Sequence, residues 1–380
     1  ARSAGRGLTA ITRLGARAAL DLRRAPVRTL AMATPTLDIN LDAIVQNWRA
    51  LDARTAPECE TAAVVKADAY GLGAAQVAAA FADAGVETFF VAQAEEGAAI
   101  RAAVGTHRKI AVFSGHMDGD TDLLLRHDLI PMLNSPAQVA RHFETAPDHP
   151  FGVQLDTGMN RLGMEADEWD SLRGDLMAAG PWLLMSHLAN ADDPDHPQNA
   201  AQLAAFREMT DGLGARRSLA ATGGILLGPE YHFDLTRPGI GLYGGLPFAT
   251  ALPVVALSIP VVQCRDVRPG ESVGYGATWV ASRDSRIATV QAGYADGLIR
   301  AMSNVAHLHA AGAPCPLAGR VSMDLLTVDV TDLDADPDHL DILGPYQGID
   351  TLAEAAGTIG YEILTALGAR YARRYNRGIA

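Results

Sequence analysis

Lysine is nearly missing from this chain. Among 380 residues there are two, Lys66 and Lys109, and arginine carries the rest of the positive charge. Chemistry that needs a primary amine therefore has two candidates. Cysteine is scarce too: Cys59, Cys264 and Cys315 are odd in number and far apart, which argues against a disulfide framework and for a reduced, cytoplasmic compartment. No apolar run approaches the roughly 20 residues needed to span a bilayer. Basic residues are outnumbered by acidic ones, for a formal net charge of −13. That balance argues against nucleic acid and against an anionic membrane surface as partners.

What remains is the composition of a globular enzyme with a large core, 48% hydrophobic and 20% charged. The length suits two domains, or a barrel with an addition. Residues 1–31 stand apart. They hold seven arginines and one acid, Asp21, a net +6 that leaves −19 on the remainder. Either a transit peptide or basic arm, or an upstream extension of the reading frame ahead of Met32, accounts for them. The missing apolar core of a secretory signal favours the second, so this segment is expected to be a non-catalytic extension.

From residue 60 to 245 short apolar runs recur every 20–30 residues: Ala62–Lys66, Thr88–Val91, Ile110–Phe113, Ile130–Leu133, Phe151–Leu155, Leu183–His187, Leu219–Thr222 and Ile240–Tyr243. Helical periodicity fills most gaps, as at Gln76–Ala84, Glu95–Val104, Ala137–Glu144 and Gln202–Leu213. Runs of four to six residues with helices between them imply parallel strands with crossovers, and eight such units point to a (β/α)8 TIM-type barrel over 32–250. A doubly wound open sheet is the alternative. Beyond about residue 250 the runs Val254–Cys264, Arg286–Ala292 and Leu325–Val330 are joined by Pro/Gly/Asp turns. That pattern predicts a mainly β domain over 251–380, with helical spacing over Ala353–Arg374.

Active residues of such barrels lie at the C-terminal ends of the strands, and there the unusual residues cluster. Lys66 ends the first run just before a Gly-rich turn, where desolvation lowers an amine's pKa and makes it a nucleophile or base. Lys109 precedes its run and would lie at the opposite, solvated end. Asp156-Thr157-Gly158-Met159-Asn160-Arg161 follows the fifth run, His187 ends the sixth, Thr222-Gly223-Gly224 follows the seventh, and Arg237-Pro238-Gly239 leads into the eighth. Glycines and a hydroxyl at that face offer backbone N–H groups to a phosphate. An amine beside a phosphate cradle suggests pyridoxal phosphate held as a Schiff base.

From about Thr36 to Arg374 the sequence resembles the alanine racemases, two-domain members of the fold-type III pyridoxal-phosphate enzymes. The resemblance is carried in order by Val64-Val65-Lys66-Ala67-Asp68-Ala69-Tyr70-Gly71, Leu155–Gly163, Arg237-Pro238-Gly239, Gly274-Tyr275-Gly276-Ala277-Thr278-Trp279, Gly293-Tyr294-Ala295-Asp296-Gly297 and Gly319-Arg320-Val321-Ser322-Met323-Asp324. It implies that Lys66 carries the cofactor and acts as base on one face of the substrate Cα. Tyr275, contributed by the partner subunit of a head-to-tail homodimer, would act on the other. A phenol, with an ordinary pKa near about 10, needs help to act near neutrality. The resemblance supplies it through His187, hydrogen-bonded to the tyrosine, and Arg237 behind the histidine and against the pyridine nitrogen. It matches Tyr70, Thr222, Gly239, Ile240 and Tyr361 to the cofactor phosphate. Arg161 falls beside the phenolic oxygen, Met323 and Tyr294 at the substrate, and Asp192, Arg300, Arg320 and Ile359 along the entry corridor. The implied activity is interconversion of L- and D-alanine, supplying D-alanine for peptidoglycan.

Taken singly, these residues have plainer readings: His187 as a core histidine, Arg161 and Arg237 as structural ion-pair partners, Tyr275 as a turn aromatic. Asp156-Thr157-Gly158 imitates an aspartic-protease triplet but has no second copy. Gly239-x-Gly241-x-x-Gly244 imitates a dinucleotide fingerprint without the helix that should follow. His307-x-His309 is a weak metal pair. Two positions depart from the family. Gln154 stands where many members carry a carbamylated lysine that orients the arginine, so an anion such as chloride, or the amide itself, is expected to hold Arg161. Ala221-Thr222-Gly223 replaces a commoner Asn-Ser-Ser or Asn-Ser-Ala and keeps the hydroxyl. Other functions stay open: a racemase of broader scope, a non-catalytic cofactor carrier, or a nicotinamide dehydrogenase. Tyr361 and Tyr294 favour a small substrate.

Overall fold

The computed structural model describes residues 33–377; the arginine-rich segment lies outside them. The short apolar runs become a curled parallel sheet of seven strands in sequence order: β3 (Ala63–Val64), β4 (Thr88–Val91), β5 (Lys109–Val112), β6 (Leu129–Leu133), β7 (Gly152–Gln154), β8 (Leu184–Met185) and β9 (Arg217–Ser218). Closure is made by β10 (Leu235–Thr236), parallel to β2 (Glu60–Thr61). Backbone N–H groups of Ala62 and Val64 donate to the carbonyls of Thr236 and Pro238 at 2.9 and 3.1 Å, and that of Arg237 to Ala220 at 2.9 Å. The closing strand is therefore Leu235–Thr236. The expected eighth run, Ile240–Tyr243, is a 3-10 turn past its end. The apolar character of that run reflects burial at the barrel mouth, where Leu242 and Tyr243 are fully covered.

The intervening helices follow the predicted periodicity: Ala74–Ala84, Ala94–Val104, Pro136–Thr145 and Pro197–Thr210. Ser135 caps the third by accepting from the Gln138 N–H, and Pro136 occupies its first turn, where a missing N–H costs nothing. Leu219–Thr222 is not a strand. Pairing stops at Ser218, and Thr222 opens the short helix Thr222–Leu227.

The second domain is a mixed sheet organised on the long strand β11 (Val255–Val267), which pairs antiparallel with Ser285–Val290 and with His339–Leu343. It also pairs with β1 (Thr36–Asn40), which in turn runs parallel to Ala372–Asn376. Both ends of the described chain thus meet in the β domain, although β1 precedes the barrel in sequence. The helical spacing over Ala353–Arg374 resolves into two helices, Ile349–Ala356 and Gly360–Ala366, followed by that last strand.

One buried polar pair in the barrel should make stability depend on pH. The rings of His116 and His142 are fully covered and face each other, Nδ1 to Nδ1, at 3.2 Å. His142 Nε2 lies 3.0 Å from the His149 carbonyl, so it must carry the proton. His142 Nδ1 then accepts from His116 Nδ1–H, and His116 Nε2 accepts from the Thr121 hydroxyl at 2.8 Å. Both rings are neutral in this chain of bonds. Burial, with His142, Arg141 and His149 nearby, pushes the His116 pKa down to about 4. Above pH about 6.5 the folded and unfolded states bind the same protons here. Between there and 4 only the unfolded chain takes one up, so stability falls as pH falls, by on the order of 2–3 kcal/mol for this group. Unfolding free energies of wild type and His116→Gln should therefore converge by about that amount on going from pH 7 to pH 4. A pH-independent difference would show that the ring does not titrate this way.

Candidate active site

The unusual groups converge because each follows the C-terminal end of a parallel strand. One cavity, of about 100 Å³, is lined by Val64, Lys66, Tyr70, Phe113, His187, Ala221, Thr222, Arg237, Gly239, Ile240 and Tyr361. An adjoining one, of about 200 Å³, shares Lys66, Phe113, His187 and Arg237 and adds Arg161, Gln154 and Leu162. Every residue matched to the cofactor thus faces one or other side of Lys66. Lys109 is exposed at the start of β5, at the other end of the barrel.

Lys66 leaves β3 through an unusual turn. Ala67, Asp68, Ala69 and Tyr70 have φ between 52 and 56° and ψ between 37 and 54°, a full left-handed turn without glycine. Each such residue costs roughly 1–2 kcal/mol, and strain of this kind persists where the surroundings over-determine it. The surroundings are visible. Glu96 accepts from the Ala67 N–H at 2.7 Å, and Asp68 accepts from that of Ala74 at 2.7 Å. The Tyr70 ring stacks on Tyr243 at 4.5 Å, while the Tyr243 hydroxyl donates to the Val64 carbonyl at 2.9 Å. Gly71 closes the turn at φ 83°, where a Cβ would stand 2.5 Å from the Leu364 carbonyl oxygen.

The turn aims the Lys66 amine across the Phe113 ring, 5.6 Å from its centroid. Burial lowers its pKa, as do the guanidinium groups of Arg161 and Arg237, while Glu96 opposes them. Arg237 is buried and pushed down to about 9 by desolvation alone. Its Nη2 donates to the Ser186 carbonyl at 2.6 Å and its Nη1 to the Ser218 hydroxyl. No carboxylate pairs with it among the described residues. His187 is enclosed except toward these cavities. Burial, then Arg237, Arg161 and Lys66, push it down to about 3, so it is neutral at pH 7. Its carbonyl is gripped by Gln202 Nε2 at 2.9 Å, and the same side chain accepts from the Ala189 N–H at 2.8 Å. His187 and Arg237 share the cavity wall without a hydrogen bond between them.

The same cavity carries groups suited to an anion. The Thr222 hydroxyl accepts from the Gly239 and Gly241 N–H groups at 3.1 and 3.2 Å, drawing the two loops together. A Cβ on Gly239 would stand 2.2 Å from the Tyr70 hydroxyl, so glycine alone allows the backbone to approach it. Burial raises the pKa of both Tyr70 and Tyr361, keeping their hydroxyls protonated as donors. Two donor phenols and a threonine hydroxyl, in one cavity with an amine and a buried cation, fit pyridoxal phosphate.

The remaining candidates lie outside this cavity. Tyr275 is 73% exposed, on a 3-10 turn of the β domain. Met323 and Tyr294 are exposed and joined through backbone bonds, Ala295 N–H to the Met323 carbonyl at 3.0 Å and Tyr294 N–H to that of Ser322 at 3.0 Å. Arg300 and Arg320 are exposed on the same domain. Asp192 and Ile359 line a larger open cleft of about 710 Å³ that reaches Tyr361. Gln154 does not hold Arg161. Its Nε2 donates to the carbonyl of Leu162 at 3.1 Å, fixing the backbone beside the arginine and leaving the guanidinium exposed. Sequence reasoning passed over Glu96, Phe113, Tyr243 and Gln202. Glu96 and Gln202 look like ordinary polar positions of amphipathic helices, and no local signal marks them.

A desolvated amine at the mouth of a parallel barrel, sharing its cavity with two phenols and a threonine hydroxyl and followed by a β domain, is the arrangement of a two-domain barrel protein suited to amine chemistry. Residues 39–247 match the family model described as alanine racemase, N-terminal domain, and residues 254–375 its C-terminal counterpart. An alanine racemase of Cereibacter sphaeroides strain ATCC 17023 is 65% identical over 344 residues, covering 90% of this chain and 99% of the relative. One from Dinoroseobacter shibae is 65% identical over 349 residues, covering 92% and 100%. Among solved structures, the Bartonella henselae alanine racemase with covalently bound pyridoxal phosphate has a TM-score of 0.87 at 38% identity, covering 91% of this chain and all of that one. The biosynthetic enzyme of Pseudomonas aeruginosa has 0.85 at 36%, with the same coverage. The chain belongs to the alanine racemase family.

Proposed function

We propose that this chain interconverts L- and D-alanine with pyridoxal phosphate bound through Lys66, by a two-base mechanism completed by Tyr275 of a partner subunit. The observation that carries the proposal is the convergence of Lys66, His187, Arg237 and the Thr222–Gly239 cradle on one cavity. The Bartonella relative, described with the cofactor covalently bound, supports it.

The cofactor, when bound, withdraws electrons from Cα and so makes its proton removable. Thr222, Gly239, Ile240, Tyr70 and Tyr361 would take its phosphate. Arg237, cationic and without a carboxylate partner, would face its ring nitrogen and keep that atom unprotonated, which limits its electron withdrawal and suppresses side reactions. Arg161 would meet its phenolic oxygen. The desolvated Lys66 amine holds its proton less tightly than a solvated lysine and is suited to exchange it with Cα on one face. Tyr275 would act on the other face, with neutral His187 as its hydrogen-bond partner. Met323 and Tyr294 would meet the substrate. Asp192, Arg300, Arg320 and Ile359 would line the approach.

Tyr275 is more than two-thirds exposed and lines neither of the Lys66 cavities of its own chain, which supports its delivery to the site of a second copy. We therefore assign a head-to-tail homodimer with two shared sites. A cytoplasmic supply of D-alanine for peptidoglycan fits the scarce, free cysteines. Among the described residues no helix is long and apolar enough to cross a membrane. Purified protein supplied with pyridoxal phosphate should convert L-alanine to D-alanine at rates well above those for serine or lysine. Faster turnover of serine or lysine would reassign the chain to a racemase of broader scope.

A further inference from the structure

The left-handed turn after Lys66 needs a fastener, because none of its residues is glycine and the Ala67 N–H cannot find a partner within it. Glu96 supplies one from the neighbouring helix, Ala94–Val104. Its Oε1 accepts from the Ala67 N–H at 2.7 Å and its Oε2 from the Ala92 N–H at 2.7 Å. Ala92 directly follows β4, the strand paired with β3. One carboxylate therefore ties the residue after Lys66 to the end of the adjacent strand, and both its oxygens are engaged by charge-assisted bonds.

The same carboxylate stands alone electrically. The groups acting on Lys66 are the cations Arg161 and Arg237, and Glu96 is the one acid among them. His187, on β8's end, shares the cavity but is neutral. The helix that carries Glu96 also carries Glu95, which acts on Asp120 instead.

We propose that Glu96 is a positioning residue of the Lys66 centre: it fastens the strained turn so that the amine points into the cavity, and it supplies the negative charge that balances two arginines there. The inference rests on the reading of Lys66 as the reactive amine. It predicts two separable effects. Glutamine at this position keeps the length but has one acceptor for two N–H groups, so either Ala67 or Ala92 loses its bond. It also removes the charge.

The scarcity of lysine makes the test clean. The full chain, freed of bound cofactor by dialysis against hydroxylamine, is trace-labelled with limiting acetic anhydride from neutral to alkaline pH. Acetylation of Lys66 and Lys109 is read by peptide mass spectrometry. Loss of Glu96 removes the one influence raising the Lys66 pKa, so in Glu96→Gln its midpoint should fall by about one unit while exposed Lys109 stays fixed as the internal reference. In the holoenzyme kcat should fall about tenfold with KM little changed, as expected for a displaced reacting group. Glu96→Asp, which keeps the charge on a shorter arm, should restore the midpoint but not the full kcat. An unmoved Lys66 midpoint in Glu96→Gln would overturn the proposal, even with lower activity. The labelling reads the amine directly, so it decides the role of Glu96 whether or not the chain racemises alanine.

Discussion

Lys66→Ala is expected to abolish alanine racemisation, by more than about 10³-fold, and to remove the visible absorbance of covalently held pyridoxal phosphate. Both losses follow from one atom. The amine stands between two cavities, one ending in the anion cradle of Thr222 and Gly239 and the other bounded by Arg161. No other side chain in either cavity is a primary amine, and the chain's second lysine lies on the far side of the barrel. Lys109→Ala is thus a control that should leave turnover and absorbance unchanged. Residual phosphate-dependent binding of the cofactor should survive in Lys66→Ala, since its hydroxyls and backbone donors are untouched. The experiment combines enantiomer-resolved alanine analysis with absorbance after gel filtration. Retained covalent absorbance in the variant would move the cofactor to another residue and dissolve the assignment of the whole cavity.

Lysine scarcity is also what made the site legible. With two amines to choose from, strand polarity alone separated the residue at the C-terminal end of an apolar run from the one at the start of another. The same polarity put His187 at the mouth end of its run, whereas Arg237, read as leading into the eighth run, lines the cavity because the true closing strand, Leu235–Thr236, ends just before it. Periodicity was a weaker guide where strands are two residues long. Ile240–Tyr243 reads as a strand because it is apolar, yet it is buried as a turn against the helix Leu41–Asp52. The true closing strand, Leu235–Thr236, is too short to show alternation. Nor could local patterning reveal that Thr36–Asn40 pairs with Ala372–Asn376, since that parallel contact joins opposite ends of the chain. The left-handed turn after Lys66 was hidden for a different reason. Alanine and tyrosine disfavour positive φ and one aspartate is a weak signal for it; the conformation is held from outside by Glu96 and by the stack of Tyr70 on Tyr243, with Asp68 tying the turn to the next helix at Ala74.

Tyr275→Phe should reduce racemisation by about 10²- to 10⁴-fold, the range for losing a positioned proton donor or acceptor, while leaving cofactor binding intact. The phenol touches nothing in the cavity of its own chain, so its removal cannot disturb Tyr70, Thr222 or Gly239. What it should disturb is the symmetry of proton exchange. Two bases on opposite faces let either enantiomer lose its Cα proton to solvent. With Tyr275 gone, Lys66 still serves one face, so deuterium from the solvent should enter one enantiomer of alanine at a substantial rate and the other hardly at all. A general loss of fold or of cofactor would slow both exchanges equally, and a purely structural tyrosine would slow neither. Mixing the two inactive variants gives the complementary result. Lys66→Ala carries a sound Tyr275 and Tyr275→Phe carries a sound Lys66, so a heterodimer holds one complete site and one doubly broken site. Co-expression should restore up to about half the wild-type activity per heterodimer if each site is built from two chains. No restoration, with heterodimers demonstrated by mass spectrometry, would place both bases in a single subunit.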